Sequence, residues 1–183
     1  MRHRIPFALC AFVLPGAVFA GNLNLSVELP RIDVAEYHRP YVAMWLERED
    51  KSVAANLAVW YQIKKAAAAM PGAAPAANPA GGAKWLPDLR QWWRRSGRDL
   101  QMPVDGVSGA TRAPGEHALS FGTDKGPLAN LPAGQYKLVV ETAREDGGRE
   151  LIDIPFQLPV KQPQQFKAKG ERELGAIVLD VTP

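Results

Sequence analysis

The chain has 183 residues, with 22 Lys and Arg against 19 Asp and Glu, for a formal charge of +3 with neutral His. Arg2 and Arg4 lie in the N-terminal segment, and removing them lowers +3 to +1, so global charge gives no footing for nucleic-acid binding. The single cysteine, Cys10, lies in that same segment, which excludes a disulfide, a thiolate metal site and a thiol nucleophile from residues 21–183.

The first expected element is a signal peptide over residues 1–20. Arg2 and Arg4 form a basic start, an apolar run extends from Ile5 to Phe19, and Val18-Phe19-Ala20 offers small residues near a cleavage point after Ala20. The run is short and interrupted by Pro6 and Pro15, which argues against a membrane span. Phe7-Ala8-Leu9 before Cys10 makes a poor lipoprotein cleavage box. Residues 21–183 are then a periplasmic chain, peripheral to the membrane at most. They are long enough for one domain with a substantial core.

Period-two alternation dominates that domain. Leu23, Leu25, Val27 and Leu29 alternate with polar residues, as do Tyr136, Leu138 and Val140. Ile152, Ile154, Phe156 and Leu158 form another row, and Ile177, Leu179 and Val181 the last. Such rows predict strands with one buried face. Tyr41 to Leu46 and Leu57 to Ile63 are apolar on both faces, as central strands are. Pro155 has no N–H to give a ladder and belongs on an edge strand or at a bulge. Turn residues separate the rows at Asp124-Lys125-Gly126, Pro132-Ala133-Gly134 and Asp146-Gly147-Gly148. The expected fold is mainly β, an immunoglobulin-like β-sandwich of seven or eight strands with one short Trp-rich helix. The stretch from Gly115 to Phe156 resembles the Ig-like half of flagellar hook-capping proteins, through Pro132-x-Gly134-x-Tyr136 leading into an alternating strand. That resemblance concerns fold and implies no flagellar role.

Two segments depart from the pattern. Residues 66–83 hold three Pro, three Gly and no charge, and are expected to be a flexible surface loop. Trp85 to Arg95 is the helix candidate, with Pro87 in its first turn and Gly97 to end it. Trp85, Leu89, Trp92 and Trp93 fall at helical spacing on one side, and Arg90, Arg94 and Arg95 largely on the other. A Trp stripe packs a helix on a sheet; a Trp face can also stack on a flavin ring. The arginines suit a solvated face, and a polyanion would also meet them there.

Residues 105–112 read Asp-Gly-Val-Ser-Gly-Ala-Thr-Arg. The form Asp-x-x-Ser-Gly-Ala-Thr resembles the acceptor motif for covalent flavin attachment in exported bacterial redox proteins. The resemblance implies that Thr111 carries FMN through a phosphoester made by an FAD:protein FMN transferase. The acceptor must thread into another enzyme, so the motif is expected on an exposed loop. Gly109 and Ala110 keep the approach narrow. Asp105 and Ser108 are then recognition groups, and Arg112 a neighbour for the remaining phosphodiester charge.

The chain as a whole resembles the predicted periplasmic family known as domain of unknown function 2271. The resemblance rests on Pro40-Tyr41-Val42-Ala43-Met44-Trp45-Leu46-Glu47, Leu57-Ala58-Val59-Trp60 and Trp85-Leu86-Pro87-Asp88-Leu89. It continues in Ser108-Gly109-Ala110-Thr111-Arg112-x-Pro114-Gly115 and Gly134-Gln135-Tyr136-Lys137-Leu138. It implies a partner of exported flavin systems, found with PepSY-type membrane redox proteins. Two functions remain open: an FMN-bearing electron carrier, or a flavin-free Ig-like accessory module of such a system, linked to metal or haem-iron uptake.

No catalytic residue of the chain's own is indicated. Ser108 lacks the glycine spacing of a hydrolase elbow, and no P-loop or Rossmann fingerprint is present. His38 and His117 lie far apart without zinc-site spacing, and Glu145, Asp146 and Asp124 lack EF-hand spacing, so no metal is expected.

Overall fold

The computed structural model describes residues 21–63, 81–122, 126–129 and 131–183. The expected signal peptide, the turn at Asp124-Lys125 and most of the Ala/Pro/Gly loop lie outside the described residues.

Among the described residues nine strands form two sheets. They are β1 (Asn22–Leu29), β2 (Tyr41–Arg48), β3 (Val53–Tyr61), β4 (Ser108–Ala110), β5 (Gly115–Gly122), β6 (Gly134–Ala143), β7 (Arg149–Leu158), β8 (Gln164–Lys169) and β9 (Ala176–Thr182). One sheet runs β5-β1-β9-β8 and the other β4-β3-β2-β6-β7. Every described pairing is antiparallel except that of β4 with β3.

The alternating rows make the core between the sheets. Leu23, Leu25, Val27 and Leu29 of β1 and Ile177, Leu179 and Val181 of β9 point one way. They meet Val42, Met44 and Leu46 of β2, Leu138 and Val140 of β6, and Ile154, Phe156 and Leu158 of β7. Each such buried aliphatic side chain contributes about 1.5–3 kcal/mol. Pro155 sits on β7, an edge strand, opposite Lys137.

A second cluster explains why β2 and β3 are apolar on both faces. Ala43, Trp45, Val59, Tyr61, Val139 and Ala143 point away from the first core. Leu86, Leu89 and Trp92 cover them. These three come from the segment expected to be one helix. It is instead a 3-10 helix from Gly81 to Asp88 and a short α-helix α1, Arg90–Arg95. Leu89 between them is not helical, with φ −75° and ψ 70°. Pro87 supplies no N–H to extend the ladder. Leu86 lies in the 3-10 helix, Leu89 at the break and Trp92 in α1, so the buried stripe differs from the expected one. Trp85 is turned out and is 47% exposed.

Two acidic side chains fasten this covering segment. Glu141 of β6 is fully buried and points toward α1. Its Oε1 accepts from Gln91 N at 2.9 Å and its Oε2 from Trp92 N at 2.7 Å. Arg149 Nε donates to the same Oε1 at 2.6 Å. Arg95 lies 3.5 Å from Glu47 of β2.

The surface loop expected over 66–83 is corrected at its C-terminal end. Gly81, Gly82 and Ala83 belong to the 3-10 helix, and Gly82 is buried. Gly82 N donates to Gln62 O at 2.8 Å, and the Tyr41 hydroxyl donates to Gly82 O at 3.1 Å. A Cβ here would stand 2.7 Å from Gln62 O, so the close approach of two backbones requires glycine.

Candidate functional site

The motif at 105–112 is built on a tight turn. Val107 N and Ser108 N both donate to Val104 O, at 3.2 and 2.9 Å. Gly106 takes φ +70°, which L side chains rarely adopt, so Asp105-Gly106 is the turn's natural pair. Ser108 Oγ accepts from Val104 N at 2.8 Å and closes the turn from inside. Asp105 stays exposed at the tip.

The loop expectation is corrected for the next residues. Ser108, Gly109 and Ala110 form β4, pairing in parallel with Val59, Trp60 and Tyr61. Val59 N donates to Val107 O at 2.9 Å, and Thr111 N to Tyr61 O at 3.2 Å. The strand is the sheet's edge, so its other side is unpaired among the described residues. Gly109 has a packing reason, because a Cβ would lie 3.0 Å from Trp60 Cδ1. Arg112 lies over Trp60, its guanidinium carbon 5.3 Å from the ring centroid, within cation–π range. His117 meets the same ring edge-on at 5.5 Å.

Thr111 follows this strand and lines a cleft of about 600 Å³. β2 starts at that end of the sheet, and β3, β4 and β6 finish there. Tyr37, His38 and Arg39 line it from the approach to β2, with Tyr41 from β2 itself. Gln62 follows β3, Trp85 and Asp88 come from the 3-10 helix, and Arg144, Glu145 and Asp146 from the β6–β7 turn. The volume lies within the range of small-molecule and cofactor sites, about 300–1,000 Å³.

The charges of the cleft are unevenly tied. Arg144 is buried and held bidentately by Glu173, at 2.9 and 3.0 Å. His38 lies 3.4 Å from Glu36 and 3.8 Å from Glu145. Arg39 is exposed and makes no ion pair among the described residues. Burial pushes the Tyr41 hydroxyl above its usual range, and burial does the same for Tyr37 against the opposing pull of Arg144. Both phenols are therefore neutral donors at neutral pH.

The three tryptophans expected near a flavin are separated. Trp85 lines the cleft with Thr111, with Lys84 Nζ 4.7 Å from its ring centroid. Trp92 is fully buried, and its indole N–H donates to Asn56 Oδ1 at 2.8 Å. It is a core residue whose ring is closed to a ligand. Trp93 lies with Pro87, Arg90, Arg94 and Arg149 along a separate groove. The sequence reading missed Tyr37, Arg39, Tyr41 and Gln62 as site residues. Tyr37, Arg39 and Tyr41 are near neighbours on the approach to β2, and the sheet brings Gln62 and Thr111 to them. Among the described residues no group of three or more His, Cys, Asp or Glu could hold a metal ion.

A family model spans residues 22–176, from the start of β1 to the start of β9. The chain belongs to the predicted periplasmic protein family DUF2271. The DUF2271 span includes the whole turn, β4, Thr111 and every residue lining the cleft. No curated protein and no solved structure matches the chain.

Proposed function

We propose that this DUF2271 protein is an exported electron carrier with FMN bound covalently to Thr111. One observation carries the reading: the hydroxyl-bearing residue of the Asp105-x-x-Ser108-Gly109-Ala110-Thr111 motif borders a cleft of cofactor size. The supporting physics concerns access. Thr111 is partly exposed and follows a three-residue edge strand. Lifting that strand breaks few hydrogen bonds, each worth about 0.5–1.5 kcal/mol net. The acceptor can therefore enter a transferase's active site at small cost to the fold.

Thr111 Oγ forms a new bond to the FMN phosphorus of FAD as the pyrophosphate bond to AMP breaks. Its proton passes to a base of the FAD:protein FMN transferase, and AMP leaves with the other phosphate. Bound FMN supplies one- and two-electron exchange. Asp105, exposed on the Gly106 turn, is the recognition group, and Ser108 fixes the turn that presents it. A PepSY-type membrane protein is the proposed redox partner.

The export reading places the signal-peptide cut between Ala20 and Gly21. For the fold, the reading is immunoglobulin-like. Its support is two face-to-face sheets and Tyr136, near the start of β6, whose hydroxyl donates to Pro132 O four residues upstream. That contact resembles the tyrosine corner of Ig sandwiches.

The test is co-expression in the periplasm with an FAD:protein FMN transferase, followed by denaturing electrophoresis. The expected result is a fluorescent band for wild type and Thr111→Ser, a weaker one for Asp105→Ala and none for Thr111→Ala. An unlabelled wild type beside a labelled control substrate refutes the carrier and leaves the flavin-free accessory module.

A further inference from the structure

We infer that the cleft at Thr111 is the docking site of the flavin ring, with Trp85 as its stacking face. The inference rests on the covalent reading above and adds to it where the ring goes after attachment. A phosphoester on Thr111 fixes only the phosphate. The ring, at the far end of a flexible ribityl chain, could equally remain in solvent.

Four features of the cleft fit the ring. Trp85 is one of the few large hydrophobic side chains left exposed among the described residues, and it lies on the same cleft as the acceptor. A half-exposed indole in a cleft offers a flat apolar face to a flat aromatic partner. The neutral hydroxyls of Tyr37 and Tyr41 add polar groups, although Tyr41 already donates to Gly82 O. Gln62 supplies both an amide donor and an acceptor, which the pyrimidine edge of an isoalloxazine requires. Arg39 brings a cation without a carboxylate partner among the described residues, suited to that ring's carbonyl oxygens. The cleft also holds Glu145, 3.8 Å from His38, and the exposed carboxylates of Asp88 and Asp146.

Tethering makes weak intrinsic affinity sufficient. A ring on a short flexible linker experiences an effective concentration on the order of 1 mM. A cleft that binds free flavin at that level holds the tethered ring about half the time, and tighter binding holds it more.

Two measurements on residues 21–183 test the site. In the first, unlabelled protein is titrated with free FMN to about 10 mM, well beyond the tethered concentration, while the indole N–H signals are followed by NMR. The Trp85 signal is expected to shift and saturate, and those of buried Trp45 and Trp92 to stay. Trp85→Leu, an exposed change, should weaken the saturation several-fold. In the second, the flavin fluorescence of the labelled protein is compared before and after urea denaturation. Stacking on Trp85 should leave native wild type several-fold dimmer, and Trp85→Leu should restore most of the signal. A shifting Trp85 in a protein that never accepts the label would refute the covalent reading and keep the flavin site. A labelled protein equally bright when native and unfolded would refute docking and keep the covalent reading. A Trp85 signal unmoved by FMN also overturns the inference.

Discussion

Replacing Glu141 with Ala should detach the covering segment from the sheet. The carboxylate is fully buried, accepts two backbone N–H groups at the start of α1, and receives Arg149. Its loss strands the N–H groups of Gln91 and Trp92, at about 1–2 kcal/mol each. Arg149 is 35% exposed, so its lost pair adds only about 1 kcal/mol after solvent screening. The sum is about 3–5 kcal/mol, within the range for breaking a buried pair from one side. At roughly 2–4 °C per kcal/mol for a chain of this size, Tm should fall by roughly 6–20 °C. Urea titration followed by tryptophan fluorescence measures this directly, with the m-value unchanged if unfolding stays two-state. Glu141→Gln keeps one carbonyl acceptor and should cost about half as much. Stability of Glu141→Ala within about 1 kcal/mol of wild type would refute the fastening role.

Gly82→Ala should destabilise by about 1–3 kcal/mol, because its Cβ meets the Gln62 backbone; a Tm equal to wild type would contradict that. Thr111→Ala should change stability by less than about 0.5 kcal/mol, since the bond to Tyr61 O comes from the backbone N–H, and calorimetry checks it. For Glu150, burial alone would raise the carboxyl, but backbone N–H groups of Glu171, Leu174, Arg172 and Glu173 outweigh it and hold it below the usual range. A lowered folded-state value means its stabilisation is complete above the ordinary carboxylate range and is lost as pH falls through the depressed value. Glu150→Gln should therefore flatten the acid limb of a stability–pH curve, and a limb identical to wild type would contradict this.

The buried rows were legible because period two survives whenever one sheet face is dry. Leu23 to Leu29 and Ile177 to Val181 carry that signal without exception. β5 and β8 are not legible as separate strands, because their residues alternate between exposed and half-buried and leave little apolar contrast. The Trp-rich segment is legible as a helix candidate, yet its expected stripe assumes a 3.6-residue period. The segment is instead a 3-10 helix, a break at Leu89 and a short α-helix, in which Leu86 is buried and Trp85 exposed. The acceptor motif could be read from its local spacing. The cleft beside it could not, since Tyr37, Gln62, Trp85, Thr111 and Arg144 meet only through strand order.

The central claim is a covalent bond at Thr111, and intact mass tests it most directly. Protein recovered from a periplasm that contains an active FAD:protein FMN transferase should be heavier than residues 21–183 by one FMN less one water. The increment should map to the peptide containing Thr111 and vanish in Thr111→Ala. A wild-type mass equal to the bare chain, with a control acceptor labelled in the same cells, would contradict the account.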